Sequence, residues 1–259
     1  MPTFKITLAY DGTDYVGWQR QATGTSIQGL IEDALRDLDQ RDVSVIGAGR
    51  TDAGVHAIGQ AASFSLSRSI ESDALVGALN ARLPGAVRVL AASEVPDSFH
   101  ARFAARSKTY RYRIWNADVL SPFERSVAWH VPGTLDRGAM AAAARLLEGR
   151  HDFAAFQAAG SSTRSTEREL FSSCVLPPGP DGGEALVYEV SGSGFLRHMV
   201  RAIVGTLVEV GRGRRPTEWV RDVLLARDRA HAGPTAPPQG LVLVHVTYDE
   251  GAVRLAAER

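Results

Sequence analysis

The stretch from Gly47 to Ala57 sets one Arg, one Asp and one His among glycines and other small residues. Glycine lets the backbone approach a ligand closely or adopt positive φ, which most other residues do only under strain. Asp52, which lies between Arg50 and His56, is therefore either a reacting carboxylate or the anchor of a turn. Asp is common in turns because its side chain bonds the local backbone, so this stretch alone leaves both interpretations open.

The glycines do not match either common nucleotide-binding motif. A dinucleotide fingerprint needs a further glycine three positions after Gly49, where Asp52 stands. A Walker loop needs Lys and then Ser or Thr after its last glycine, whereas Val55 and His56 follow Gly54. We therefore expect no nucleotide cofactor.

A second stretch, residues 97–115, interleaves aromatic and basic side chains. In an extended strand Lys108 and Tyr110 share one face, and Arg111 lies on the other. Such a strand can stack bases and bind phosphates. Strands also favour Tyr and Trp for packing alone, so both interpretations remain.

Two further sets of arginines accompany a helix predicted over residues 195–210. Arg197 and Arg201 stand one turn apart, and flanking valines predict that the Arg201 guanidinium is partly buried. A buried Arg needs an anionic partner. The basic cluster Gly211–Arg215 is either a solvated helix end or a phosphate contact.

The composition narrows the class of protein. The 259 residues include 29 basic and 29 acidic ones, so any basic site must arise by local clustering. A single cysteine, Cys174, excludes an intramolecular disulfide, and the seven histidines lack metal-ligand spacing. No stretch approaches the roughly 20 apolar residues of a membrane span. We expect a cytoplasmic protein with no metal and no membrane association.

The order of elements predicts how these residues are positioned. Residues 1–95 give the order β, α, β, β, α, β, the split βαβ pattern, and the remainder repeats it with a strand and a helix added. We therefore predict an α+β fold of two ferredoxin-like halves, with antiparallel sheets side by side, a central cleft, and helices on one face. The expected domains are 1–105, with the Asp loop, and 106–259, with the Tyr strand and the Arg helix.

Three local expectations accompany this fold. Thr25 and Gln28 have the spacing of a capping box at the start of the first helix. Trp18 is expected to pack under its own loop rather than to contact a ligand. Residues 149–156 are expected to form a structural corner with Phe153 and Phe156 buried.

Several ordered motifs together resemble the TruA family of tRNA pseudouridine synthases along the whole chain. They are listed here in chain order: Gly47–Ala57, Phe99–Phe103, Lys108–Tyr112, His151–Phe153, Phe195–Arg201 and Ala236–Leu241. The resemblance implies that a homodimer isomerises uridine to pseudouridine at positions 38 to 40 of the tRNA anticodon stem-loop. It also implies that no cofactor or metal is used.

The resemblance assigns a role to each matching residue. It makes Asp52 the nucleophile, Arg201 the cation that pairs with it, and Tyr110 the ring that stacks on the target base. Arg50 assists base flipping, and Leu241 lines the pocket. Arg197 departs from the His or other polar residue expected at its position.

Binding of the RNA backbone requires local positive charge. We expect the phosphate contacts to come from a set of basic residues on both halves of the chain, namely Arg20, Arg102, Arg106, Lys108, Arg111, Arg197, Arg212, Arg214 and Arg215. A map of surface potential that shows these side chains scattered among carboxylates would refute this expectation.

Two other functions remain compatible with the residues. An N-glycosidase would also attack a bond between sugar and base, but glycosidases normally use two carboxylates, and the motif offers one. A non-catalytic RNA-binding module would need no reactive Asp52 at all.

Overall fold

The structure is a computed structural model that describes residues 1–158, 160, 163, 165–176, 185–249 and 253. The chain forms two compact units. The first contains residues 1–108 and the chain from residue 243 onward, and the second contains residues 109–242. The domain division expected at residue 105 stays a prediction.

Strands and helices alternate through the described residues, with three short 3-10 helices between them. In chain order they are β1 (Thr3–Tyr10), α1 (Ile27–Asp39), β2 (Ile46–Gly47), β3 (His56–Ser65), α2 (Ser72–Asn80), β4 (Val87–Val95), β5 (Ala105–Trp115), β6 (Trp129–His130), α3 (Arg137–Arg145), β7 (Gly149–Asp152), a 3-10 helix (Ala154–Phe156), β8 (Glu167–Val175), β9 (Ala185–Gly192), α4 (Met199–Gly211), α5 (Trp219–Ala226), two 3-10 helices (Arg229–His231 and Pro238–Gly240) and β10 (Leu241–Tyr248).

In the first unit, β1 lies between β3 and β4 and is antiparallel to both. The two-residue β2 is antiparallel to β3, and β10 is a further neighbour of β3. Phe4, Ile6 and Leu8 are fully buried and alternate with less buried neighbours, as a period of two residues requires. This order confirms the split βαβ pattern predicted for the first half.

The N-cap of helix α1 lies one residue later than predicted. Ser26, not Thr25, is the N-cap, and its hydroxyl accepts a hydrogen bond from the Gly29 backbone at 3.1 Å. Gln28 instead bonds Glu32 and the backbone of Val45, at 2.9 and 3.0 Å. The capping box was therefore wrong, because Gln28 joins the helix to the segment before β2.

In the second unit the strand order is β5, β9, β8, β7, with β8 antiparallel to both of its neighbours. The short strand β6 runs parallel to β5. Along the chain, β5, α3, β8, β9, α4 and β10 repeat the βαββαβ order of the first half. The predicted α+β class, with a repeated split βαβ pattern, is confirmed.

Two local features of this unit differ from the prediction. Residues 149–152 form the edge strand β7, although Phe153 and Phe156 after it are fully buried, as expected for the corner. Helix α4 begins at Met199 rather than at Phe195, because His198 adopts a left-handed conformation with φ of 62°. Within the described residues, every helix is too short or too polar to cross a membrane.

Candidate active site

The Asp52 loop connects β2 to β3. The backbone N–H of Ala48 donates to Ala61 at 2.8 Å and extends the β2–β3 pairing to the edge of the loop. Beyond this point the chain turns at Asp52, whose backbone carbonyl accepts a hydrogen bond from Val55 at 3.1 Å. Gly54, with φ of 76°, occupies the position of this turn that requires a left-handed residue. The turn is closed by this backbone hydrogen bond.

A second loop, residues 11–18, packs closely against the Asp52 loop. A side chain at Gly17 would lie 2.5 Å from the carbonyl oxygen of Thr51, and φ at Gly17 is 105°. A side chain at Gly12 would lie 2.1 Å from the carbonyl oxygen of Val55. The backbone N–H of Trp18 donates to the Thr51 carbonyl at 3.0 Å. Glycine is therefore required where the two loops meet.

Trp18 supports the start of the loop from inside the protein. Its side chain is buried, and a Cβ at Gly47 would lie 2.4 Å from the indole ring. The ring of Tyr10 lies 6.4 Å from the Trp18 ring. Trp18 therefore packs under its own loop, as the sequence predicted.

A buried hydrogen-bond network fixes the backbone on both sides of Arg50. The Tyr10 hydroxyl shares a hydrogen bond of 2.9 Å with Thr51. The Gln60 amide donates to the Gly49 carbonyl at 2.9 Å and to the Tyr10 hydroxyl at 3.4 Å. Burial raises the pKa of Tyr10 to about 12 even though both bonds act to lower it, so this hydroxyl stays neutral and can donate near neutral pH.

His56 also joins the two loops. It is buried at the start of β3, and its Nδ1 accepts a hydrogen bond from the Gly12 backbone at 3.0 Å. Oδ1 of Asp11 lies 3.1 Å from the same nitrogen. Burial acts to raise the pKa of Asp11, but hydrogen bonds from Thr13 and the nearby His56 together lower it. Through these contacts His56 anchors the Asp52 loop to the loop of residues 11–18.

Arg50 and Asp52 lie on this one loop with different exposure. Arg50 is exposed between the anchored residues Gly49 and Thr51, and Asp52 is half-buried. A half-buried carboxylate on a fixed backbone can act as a nucleophile or a base toward a ligand that reaches the loop. The sequence alone did not identify Tyr10 and Gln60 as supports, although a lone Gln in the apolar strand β3 was an available signal.

The second unit carries the other three proposed site residues. Tyr110 is buried on β5, with its ring edge-on to Phe195 at 5.0 Å. Arg201 is half-buried near the start of α4, and its Nε donates to the Ala236 carbonyl at 2.7 Å. Leu241, only 5% exposed, begins β10.

Residues 236–240, which precede β10, contact both α4 and β5. The Ala236 backbone N–H donates to the Arg201 carbonyl at 3.1 Å, and the Ala236 carbonyl accepts from the Arg201 guanidinium. Two hydrogen bonds therefore join these residues. The Tyr112 hydroxyl donates to the Pro237 carbonyl at 2.7 Å, and burial raises the pKa of Tyr112. A side chain at Gly240 would lie 2.6 Å from the Tyr112 ring. The position of Arg201 is thus fixed through the segment that leads to Leu241.

The expected RNA contacts fall into two groups. Five of the arginines contact carboxylates: Arg20 with Glu32 and Asp33, Arg106 with Asp249, Arg111 with Glu189, and both Arg212 and Arg214 with Glu209. Among the others, Arg102 lies over the Phe103 ring at 5.8 Å and Arg215 over the Trp219 ring at 5.0 Å. Arg197 is exposed just before α4, and Lys108 is half-buried on β5. An arginine of the first group must give up an ion pair to bind phosphate.

In the part of the chain that the structure describes, His, Cys, Asp and Glu side chains form no cluster of three or more suited to a metal ion. In the first unit, an anchored carboxylate with an exposed arginine beside it suits covalent chemistry on a nucleotide.

The chain is similar to known proteins over nearly its whole length. The family model for tRNA pseudouridine synthase matches residues 6–104 and 143–249. A tRNA pseudouridine synthase A of Myxococcus xanthus is 50% identical over 251 residues, which cover 97% of this chain and 94% of the relative. The proteins of the same name from Syntrophotalea carbinolica and Geobacter sulfurreducens are each 48% identical over 248 residues. They cover 96% of this chain and 97% and 100% of the relatives, respectively.

Proposed function

Because the chain belongs to the tRNA pseudouridine synthase family, and is thus an isomerase, we propose that it converts uridines 38, 39 and 40 of the tRNA anticodon stem-loop to pseudouridine. Asp52 is the nucleophile in this proposal. The observation that carries the proposal is the anchored loop, in which backbone and buried side-chain hydrogen bonds hold the half-buried Asp52 at the turn.

The reaction is balanced without any oxidant or reductant. The bond between N1 and C1′ breaks, the uracil rotates, and a bond between C5 and C1′ forms. C5 loses its proton, and N1 ends with one. Asp52 starts the reaction by adding either to C6 of the base or to C1′ of the sugar. Its bond to C1′ breaks as C5 joins C1′, or its bond to C6 breaks afterwards, and the free carboxylate is regenerated. An exposed Arg50 beside it suits a side chain that fills the space left by the flipped base.

The remaining roles concern the second unit. We assign Arg201 to pair with the Asp52 carboxylate, Tyr110 to stack on the target base, and Leu241 to line the pocket. The reciprocal bonds between Arg201 and Ala236 support this assignment because they hold the guanidinium in a fixed position. Extruding a stacked base costs a few kcal/mol, and stacking on Tyr110 offsets part of this cost.

Affinity for the RNA backbone is assigned first to Arg102, Arg197 and Arg215, for which the described part of the chain shows no carboxylate contact. Lys108 and the paired arginines are the further candidates. We also propose that the protein acts as a homodimer in the cytoplasm, where it meets tRNA. Light scattering of the purified protein tests the dimer, since a monomeric mass at working concentration contradicts it.

The decisive experiment uses unmodified tRNA that carries 5-tritiated uridine. The wild-type protein is expected to release tritium, and mapping places pseudouridine at positions 38 to 40. Asp52→Asn is expected to lower the rate on the order of 10⁴-fold, with tRNA affinity and the urea midpoint close to those of the wild type.

Two results would contradict the proposal. Release of free uracil would identify a glycosidase instead. Full cellular function of Asp52→Asn, with no tritium release by either protein, would identify a non-catalytic RNA-binding module.

A further inference from the structure

An exposed aromatic side chain stands on the surface of the first unit. Phe103 is 77% exposed, in the segment between β4 and β5. His100 and Arg102 lie beside it, and we call residues 99–104 the aromatic turn. Removing a phenyl ring from water is favourable. A ring held at the surface of an ordered turn is therefore suited to contact a binding partner.

The aromatic turn is ordered by hydrogen bonds and ring stacking. Nδ1 of His100 accepts hydrogen bonds from the backbone N–H groups of Arg102 and Phe103, at 3.2 and 3.3 Å. The His100 and Phe103 rings stack with centroids 4.2 Å apart and an interplanar angle of 27°. The Ala104 backbone donates to the His100 carbonyl at 2.9 Å. Phe103 is therefore presented in a defined position.

The aromatic turn packs against residues on both sides of the Asp52 loop. Phe99 and Ala101 are buried in one cluster with Ala48 and Ala61. Ala48 lies four residues before Asp52 in sequence and pairs with Ala61. The Ala101 backbone donates to the Ser63 hydroxyl on β3 at 3.1 Å. A ligand on the aromatic turn would thus bind a segment that packs on β3, the strand that follows the Asp52 loop.

Arg102 places a positive charge next to Phe103. The neighbouring Arg106 is paired with Asp249, so Arg102 is the cation that this surface offers to a ligand. The guanidinium of Arg102 lies 5.8 Å from the Phe103 ring centre. This charge favours a partner that carries both flat rings and phosphates.

We propose that the aromatic turn is a stacking platform for an unpaired nucleobase of the tRNA substrate other than the uridine that reacts. The base stacks on the face of Phe103 opposite His100, and Arg102 contacts the phosphate of the same nucleotide. Every base has a π-face, so stacking tolerates different bases at this position. This inference rests on the proposed function, because it takes tRNA as the ligand.

The test measures KM and kcat for unmodified tRNA with a set of Phe103 variants. Phe103→Ala is expected to raise KM roughly 5- to 100-fold, the range for loss of one stacked base, and to change kcat less than about twofold. Phe103→Leu keeps apolar bulk without a π-face, so it is expected to show the same loss. Phe103→Trp is expected to keep KM and to add an indole emission that tRNA quenches relative to the wild type.

Phe123 provides the matched control. It is 88% exposed, but its neighbour is Glu124, which pairs with Arg113 at 2.8 Å. Phe123→Ala removes the same side chain outside the aromatic turn, and KM is expected to stay at the wild-type value.

The possible failures are distinguishable. If the wild type forms pseudouridine and Phe103→Ala keeps its KM, the platform is wrong and the proposed function stands. If the wild type forms none, the proposed function fails, and fluorescence anisotropy with the same variants and labelled tRNA still decides whether Phe103 binds RNA. Loss of oligomeric mass in Phe103→Ala with unchanged tRNA affinity would make the turn a subunit contact and overturn the inference.

Discussion

At the scale of single residues, the neighbours of Asp52 are as informative as Asp52 itself. Tyr10 and Gln60 are 4% and 0% exposed, and both bond the backbone or side chains of the loop. Neither is expected to touch substrate, so they are positioning residues. Their effect on catalysis comes from the loop geometry, because small displacements of a reacting group reduce the rate strongly.

Tyr10→Phe tests this role against a matched buried tyrosine. It removes the bond to Thr51, whereas Tyr188→Phe removes an equivalent buried bond of 2.8 Å to Ser173 in the second unit. Each variant is expected to lose about 1 kcal/mol of unfolding free energy. Only Tyr10→Phe is expected to lower kcat, by about tenfold, with KM for tRNA unchanged.

Urea unfolding and tritium release measure the two quantities separately. Wild-type kcat values in both variants would show that the Tyr10 hydroxyl contributes to stability alone. A parallel loss of kcat in both would trace the effect to general destabilisation.

At the scale of elements, the strands were the most predictable part. The sequence predicts one strand from Phe4 to Tyr10 and another from Ala57 to Leu66, and both agree within one residue with the bounds of β1 and β3. The start of α4 was not predictable, because Phe195 continues the helical spacing of Met199 and Ile203 although the chain is not yet helical there. The pairing that forms β7 depends on β8, which is distant in sequence.

For the candidate site, the sequence identified the loop but not what supports it. The motif glycines predicted either close approach to a ligand or positive φ, and Gly54 has positive φ. The close backbone contact comes instead through Gly12 and Gly17 of the second loop. The partners of the arginines were not predictable, because Glu189 and Asp249 lie far along the chain from Arg111 and Arg106. The roles of Asp52, Arg50, Tyr110, Arg201 and Leu241 stay predictions.

Gly17→Ala tests the contact between the two loops. Gly17 and Gly213 both have positive φ, 105° and 68°, so an alanine at either position is strained by about 1–2 kcal/mol. Only at Gly17 would the new methyl group meet backbone, 2.5 Å from the Thr51 oxygen, whereas nothing lies within 4 Å at Gly213. We expect Gly17→Ala to lose activity at least about a hundredfold, and Gly213→Ala to keep it.

The measurements are the urea midpoint and the rate of tritium release at saturating tRNA. A Gly17→Ala protein that is as active as Gly213→Ala would show that the loop tolerates displacement, and the close approach would then have no catalytic role.

At the scale of the whole molecule, equal numbers of acidic and basic residues give the chain no net charge. Attraction of tRNA therefore depends on local groups of basic side chains. An arginine that leaves an ion pair to bind phosphate gains little, because one salt bridge replaces another. The number of effective phosphate contacts is thus smaller than the number of arginines suggests.

The salt dependence of tRNA binding tests this conclusion. Arg102→Gln is expected to reduce the slope of log affinity against log salt by about 0.7 to 0.9, the contribution of one phosphate contact. Arg20→Gln is expected to leave the slope unchanged, because Arg20 already contacts Glu32 and Asp33 at 3.1 Å. Titrations of labelled tRNA at several salt concentrations measure both slopes, and the opposite order would reverse the ranking of these two arginines.

The position of β10 has a consequence during protein synthesis. Its residues from 243 onward belong to the first unit, beside β3, and the close approach of Gly59 to the Val244 backbone leaves no room for a side chain at that glycine. A nascent chain therefore leaves one side of β3 incomplete while all of the second unit is being translated. The strand that follows the reactive loop gains its last neighbour only after β10 has emerged from the ribosome.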